Sequence, residues 1–506
     1  MKRWLGLLGM MAWGVAAAQE APSYNVLLIT VDCLRPDHMG VYGYERNNTP
    51  YLSSIAEESA VFTEAFATSG WTSPGIISFF TGYYPPTHAQ NGQHSWWGQH
   101  TPTALSLMSQ DGYRTAGKTH RGPTLEGIGL DLSIGPYGHG PEFIANRSEP
   151  WAQDKRFFGW IHIKPTHLPY NAGSPYYRQM YGVSEISGPA QEAVFTQGVL
   201  YAGQQDFRFS EEDIAVTRSL YDASVAAADQ EVGEMIEQLR AGGLLDKTIV
   251  VISADHGEEL FEHGWLGHAS TSWTGKLFDE NIHIPLIVRF PEGQFAGRYD
   301  QIVQQTDLMP TLYELMGRSE EALPVPMQGV SLMPLLRGET TEAVRPYAFA
   351  QTTYKGWATP VEEMSDRITA VRSPTLKLLR YGGERADELV GYDLAVDPAE
   401  QAPIVASEDP RFAPLHEAMR AWDEQTTADA RTVAEHGQRA ALEALREARR
   451  QGDRVGALHT YAGLVRVDAT FRMEVSPFTE QADAARSWAR GMRQAQQEML
   501  RALGEP

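Results

Sequence analysis

The sequence predicts an α/β protein: a mostly parallel central sheet flanked by helices, then a small α+β subdomain and a helical tail. Three observations lead there. YNVLLITV at 24–31, FFGWIHI at 157–163, KTIVVISAD at 247–255 and HIPLIVRFP at 283–291 are near-continuous apolar runs, the mark of strands covered on both faces. Segments with helical periodicity alternate with them, as a parallel sheet between helices requires. Past residue 345 the runs shorten and the turns multiply.

In chain order, MKRWLGLLGMMAWGVAAAQE opens with Lys2 and Arg3, an apolar run and a small-residue site at Ala16–Ala18, so residues 1–18 read as a signal peptide. Its apolar run is shorter than the roughly 20 residues that span a bilayer. The expectation is a periplasmic or secreted protein with no integral membrane segment after signal removal. Residues 22–345 form the predicted catalytic α/β domain. Within it, Tyr24–Val31 is the first strand, and Thr49–Ser59 is a helix with Pro50 in its first turn. TALSLMSQDG is a helix leading into YRTAGK, and FFGWIHI is an interior strand. Residues 211–241 carry Ala223, Ala226, Ala227, Val232, Met235, Ile236 and Leu239 near a 3.6 period, a long amphipathic helix closed by Gly242-Gly243. Two further strands follow. SDRITAVRSPTLKLLRYGG and ELVGYDL predict short antiparallel strands in a subdomain over 346–407. Residues 408–506, rich in Ala, Glu, Arg and Gln, read as paired amphipathic helices that cap the protein or make it oligomerise.

The chain of 506 residues has 64 acidic and 42 basic residues and a formal charge of -22. That excess argues against a non-specific grip on nucleic acid or on anionic membrane. Cys33 is the only cysteine, so no disulfide forms within the chain.

The chemistry gathers where strands end. Asp32 follows one strand and Asp255 another, and in an open parallel sheet such positions meet in the ligand crevice. Asp255-His256-Gly257-Glu258-Glu259 puts three acids and an imidazole into five residues. Buried together, they call for a cation. Asp32, Asp255 and His256 are the predicted ligands of one divalent ion, Mn²⁺ or Zn²⁺ by preference, with Ca²⁺ open. The alternative is that each acid caps the helix after its strand. Thr72, in GWTSPGIISFFTG, precedes Pro74 and an apolar face, so it stands at a helix N-terminus where anions are welcome. There it is either a cap or a nucleophile that completes the ion's shell as a fourth ligand, and coordination would make its hydroxyl competent. Lys118 and His120 lie two apart and face one way on an extended segment. They are placed to hold non-bridging oxygens, with Lys276 in reserve. His167 or His268 is the proposed proton donor to a leaving oxygen, and His162 and His263 are further imidazoles beside these motifs.

With these motifs in hand, the chain resembles the sulfatase family of the alkaline phosphatase superfamily. The matching stretches are VDCLRPDHMGVYGY at 31–44, GWTSPGIISFFTG at 70–82, GYRTAGKTH at 112–120, PTHLPY at 165–170 and SADHGEELFEHGWLGH at 253–268. HIPLIVRFP and LVGYDLAVDPAE add two later landmarks, so the resemblance spans about 22–405 and leaves the tail outside. It implies a metal at the strand ends, a covalent intermediate and a small C-terminal subdomain. The departures are specific. The family's formylglycine forms from Cys or Ser in Cys/Ser-x-Pro-x-Arg, whereas this chain has Thr72, and Ile76 at the arginine position. Threonine cannot yield that aldehyde. Cys33 stands where many sulfatases place a second metal-binding Asp. The resemblance therefore points to a threonine-nucleophile member. The expected activity is cleavage of a phosphodiester or phosphonate ester, in a small-molecule or glycan-linked anionic substrate, through a phospho-threonine. Sulfate-ester hydrolysis without formylglycine and a non-catalytic binding or scaffold role are the alternatives.

Overall fold

The computed structural model describes residues 24–90, 102–118, 128, 130, 132–134, 156–170, 209–268, 277–353, 356, 367–382, 385, 388–451 and 453. The signal-peptide reading of 1–18 lies outside them. The strands are β1 (Asn25–Val31), β2 (Ala60–Phe66), β3 (Arg114–Lys118), β4 (Leu132–Ile134), β5 (Phe157–Ile163), β6 (Thr248–Ala254), β7 (Glu259–Leu260), β8 (Leu266–Gly267), β9 (His283–Arg289) and β10 (Gly297–Gln304). All but the β7–β8 hairpin join one sheet in the order β10-β2-β9-β6-β1-β5-β3-β4. Every pairing is parallel except the two made by β9. The sheet is mostly parallel, as its apolar runs predict.

Those runs are buried end to end. β5 and β6 expose no residue, and β1 only half-exposes Asn25. β2 and β10 escape a reading by hydrophobicity because Thr63 and Glu64 interrupt one and the other is polar over its exposed first half. The helix Glu211–Ala241 starts at a Ser210–Asp213 capping box and buries Leu220, Val225, Val232, Met235 and Leu239 in the core. Phe80, on the helix Thr72–Thr81, meets Trp160 of β5 edge-on at 5.0 Å. That contact seats the helix on the sheet.

A second sheet follows, all antiparallel, in the order β11-β12-β13-β14-β15 (Ala348–Thr353, Arg367–Arg372, Leu376–Tyr381, Leu389–Asp393, Ile404–Val405). Lys377, fully buried, joins it to the first unit through an ion pair to Asp279 (2.8 Å) and also pairs with Glu400 of its own unit (2.9 Å). The predicted tail begins as one helix of 39 residues, Ala413–Gln451. It does not stand apart: Trp422 stacks on Phe349 (5.4 Å) and meets Tyr84 edge-on, and Gln328 donates to Asp429 at 2.7 Å. The second predicted tail helix lies outside the described residues. No helix among the described residues is long and apolar enough to cross a membrane.

Candidate active site

One edge of the sheet collects the chemistry. β1, β5 and β6 run in parallel and end level, with Val31 beside both Ile163 and Ala254. Asp32 and Asp255 are therefore the next residues out on neighbouring strands. β5 adds His162, its penultimate residue, and His167 from the loop beyond. β2 ends at the same edge and leads to the helix Thr72–Thr81, while β10 ends there and delivers Gln305.

The helix Thr72–Thr81 is docked by backbone contact. Its N-cap is Trp71, whose side chain makes no capping bond, so Thr72 is the first helical residue rather than the cap. Gly75 lets the first turn lie on the carbonyl of Asp255, since a Cβ there would stand 2.4 Å from that oxygen. Gln305 ties the same pieces: its Nε2 donates to Asp255 O (2.6 Å), and its Oε1 accepts from Thr68 N (3.0 Å). Thr72 Oγ1 consequently lies 3.3 Å from His256 Nε2.

His256 faces two carboxylates as well. Its Nε2 is 3.6 Å from Asp32 Oδ1 and 3.5 Å from Asp255 Oδ2, and its Nδ1 is 2.7 Å from Gly257 O. A carbonyl only accepts, so Nδ1 carries the proton and Nε2 presents a lone pair. This is how metal-binding histidines are oriented. Asp255 Oδ1 accepts from Cys33 N (3.2 Å) and His256 N (3.0 Å), which turns Oδ2 toward the same centre. His162 closes the other side, with Nε2 3.3 Å from Asp32 Oδ2 and 3.9 Å from Asp255 Oδ2. Its Nδ1 meets Thr30 Oγ1 at 2.8 Å.

The His256 lone pair and several carboxylate oxygens directed at one point repel unless a cation or proton sits among them. Asp32 Oδ2 and Glu258 Oε2 are buried without a hydrogen bond. Donor atoms of Asp32, His162 and Asp255 lie within 4.8 Å of one another. These residues fit a divalent ion. Burial, only partly offset by His256, pushes Glu258 up to about 8, so without a cation it holds its proton at neutral pH. Burial drives the His167 imidazole well below the ordinary histidine value, despite the pull of Asp32. Burial among acids raises the Cys33 thiol well above its usual range.

Asp32, Thr72, Asp255, His256 and His268 each expose 1% or less, and His167 exposes 8%. His268 stands edge-on to His167 with centroids 5.1 Å apart, and its Nδ1 is 2.9 Å from Glu258 Oε1. Lys118 closes β3, level with Ile161 of β5. His120 and Lys276 lie outside the described residues. His263 goes elsewhere: it stacks on Phe278 at 3.6 Å, with Nε2 3.2 Å from Glu400 O. Ile76 is buried in the apolar core. Sequence reading passed over Glu258 and Gln305 as participants. Glu258 had a signal, a third acid just past a buried strand. Gln305 had none, because its partners are backbone groups far away in the chain.

The sulfatase family model matches residues 24–318, and the model of the N-sulphoglucosamine sulphohydrolase C-terminal region matches 262–427. The second match runs into the helix Ala413–Gln451, past the limit near 405 set by the motifs. The chain is 25% identical over 451 residues to Delta 4,5-hexuronate-2-O-sulfatase of Bacteroides thetaiotaomicron, covering 81% of this chain and 89% of that protein. It is 24% identical over 480 residues to choline-sulfatase of Rhizobium meliloti, covering 79% and 88%. Among solved structures, phosphonate monoester hydrolase of Agrobacterium radiobacter superposes with a TM-score of 0.63 at 21% identity, over 80% of this chain and 96% of that one. That last likeness speaks to fold alone.

Proposed function

The chain belongs to the sulfatase family, whose members are ester hydrolases, and from that premise we propose that it cleaves a phosphodiester or phosphonate ester through a covalent threonine intermediate. The observation that carries this reading is the 3.3 Å approach of Thr72 Oγ1 to His256 Nε2, the atom that also faces Asp32 and Asp255. Asp32, Asp255 and His256 would hold one divalent ion, with Thr72 beside it. Such an ion lowers the pKa of a neighbouring oxygen and polarises the ester.

Thr72 Oγ1 gives up its proton to solvent water and forms the bond to phosphorus as the bond to the leaving oxygen breaks in line with it. Lys118 and His120 neutralise the charge that grows on the equatorial oxygens. His167 is neutral in the resting site because burial disfavours its charged form; an anionic ester beside it reverses that balance. The ring then takes up a proton with the substrate and returns it to the departing oxygen. Water next attacks phosphorus, the bond to Thr72 Oγ1 breaks, and the hydroxyl is restored.

Phosphorus is preferred because a phospho-threonine can be hydrolysed at phosphorus, whereas a sulfo-threonine lacks the aldehyde exit of formylglycine. Sulfate-ester hydrolysis is the second reading, favoured by curated relatives that are sulfatases by name. An aryl phosphodiester, an aryl phosphonate and an aryl sulfate decide between them. The expected result is fastest turnover of a phosphorus ester, abolished by Thr72→Ala. Exclusive sulfate cleavage overturns the substrate class, and full activity in Thr72→Ala overturns the covalent route.

The leader points to the periplasm or the exterior as the place of action. The natural substrate is proposed to be an anionic ester on a small molecule or glycan.

A further inference from the structure

Cys33 follows Asp32 at the end of β1 and takes a left-handed backbone, φ 65°, which residues with a side chain seldom adopt. Backbone contacts impose it. Cys33 N donates to Asp255 Oδ1 (3.2 Å), and Cys33 O accepts from the Tyr221 hydroxyl (2.6 Å), which itself accepts from Arg35 N (3.0 Å). The thiol so held has Sγ 3.2 Å from Asp32 Oδ1 and 3.6 Å from His268 Nδ1. Donor atoms of Cys33, His256 and His268 lie within 4.8 Å of one another. A tetrahedral zinc ion, with sulfur at ~2.3 Å and nitrogen at ~2.0–2.1 Å, separates those two donors by about 3.6 Å. The spacing of Cys33 Sγ and His268 Nδ1 is the same.

Glu258 points independently to a ligand at this place. It is fully buried, its Oε1 is 2.9 Å from His268 Nδ1, and its Oε2 has no hydrogen-bond partner. A buried carboxylate oxygen with nothing to satisfy it is unfavourable, and a cation is what satisfies it.

Resting on the reading above that Asp32, Asp255 and His256 hold a divalent ion at this edge, we propose that Cys33 joins them on that ion as a thiolate, with His268 and Glu258 next to it. The centre is then a zinc-class site. Binding exchanges the S–H bond for a sulfur–metal bond and releases one proton to solvent. Thiolate and imidazole donors favour zinc over Ca²⁺ and Mg²⁺, which take oxygen ligands.

The test is to titrate the metal-free full chain with Co²⁺ as the probe, reading bound cobalt and the absorption spectrum together. Cys33 is the only cysteine, so a near-ultraviolet sulfur-to-cobalt charge-transfer band in the wild type can come from no other thiolate. The expected result is that band at saturation, and its loss in Cys33→Ser with cobalt still bound. Cobalt bound without the band overturns the thiolate and leaves the cation reading standing. A wild type that binds no cobalt overturns both. If Cys33→Ser does not fold, the wild-type spectrum alone decides.

Discussion

Replacing Gly75 by Ala would separate the position of Thr72 from its chemistry. A Cβ at residue 75 would lie 2.4 Å from Asp255 O, 3.3 Å from Asp255 C and 3.3 Å from Gln305 Nε2. The nearest obstacle is backbone at the end of β6, tied down by the Gln305 amide at 2.6 Å. The helix has to give way, by about 1 Å, and Thr72 moves with its first turn. Overpacking of this kind costs about 1–3 kcal/mol, and alanine's better helix propensity returns up to about 1 kcal/mol. Stability should therefore fall by no more than about 3 kcal/mol. A misplacement near 1 Å can cost about a hundredfold in rate. The predicted signature is a kcat loss of about that size in a folded, metal-retaining protein, measured on the fastest substrate of the ester panel alongside metal content and unfolding midpoint. Wild-type kcat in Gly75→Ala would refute the docking argument.

Three other outcomes follow from the same structure. Lys377→Met leaves Glu400 fully buried without its ammonium, while partly exposed Asp279 keeps Arg372, and should cost about 3–5 kcal/mol in denaturant unfolding; a cost under about 1 kcal/mol contradicts the role given to Lys377. Because Gly257 N and Glu258 N donate to Asn281 O (2.8 Å) and Glu280 O (2.9 Å) beside Asp279, the same variant should also weaken metal retention. Burial, partly offset by bonds from Leu52 N and Tyr51 N, raises Asp229 to about 6. A raised carboxyl favours the protonated folded state, so its contribution is complete below about pH 4 and lost as pH rises through about 6. At ~1.4 kcal/mol per unit this is about 3 kcal/mol, and Asp229→Asn should remove that slope from stability measured between pH 4 and 7; an unchanged slope refutes it.

The elements that the sequence made legible are those whose signal is local. β1, β5, β6 and β9 are apolar throughout, because covering both faces leaves no polar position. Asp32 and Asp255 could be placed together because parallel strands end level. Thr72 could be set at a helix start because Pro74 marks a first turn. What stayed hidden depends on distant pairing. β10 is a half-exposed edge strand of ordinary polar composition, recognisable only once β2 is beside it. Gln305 serves Asp255 through backbone groups some fifty residues away. Trp422 marks the predicted tail as packed structure, yet its partners Phe349 and Tyr84 lie far earlier in the chain.

The account comes down to whether the Thr72 hydroxyl is the atom that bonds to the substrate's central atom. A crystal of the metal-loaded protein soaked in vanadate reads this directly. Electron density for a five-coordinate vanadium bonded to Thr72 Oγ1 and facing His256, Asp32 and Asp255 is the predicted result. Vanadate bonded to another side chain, or held at the metal with Thr72 turned away, contradicts it.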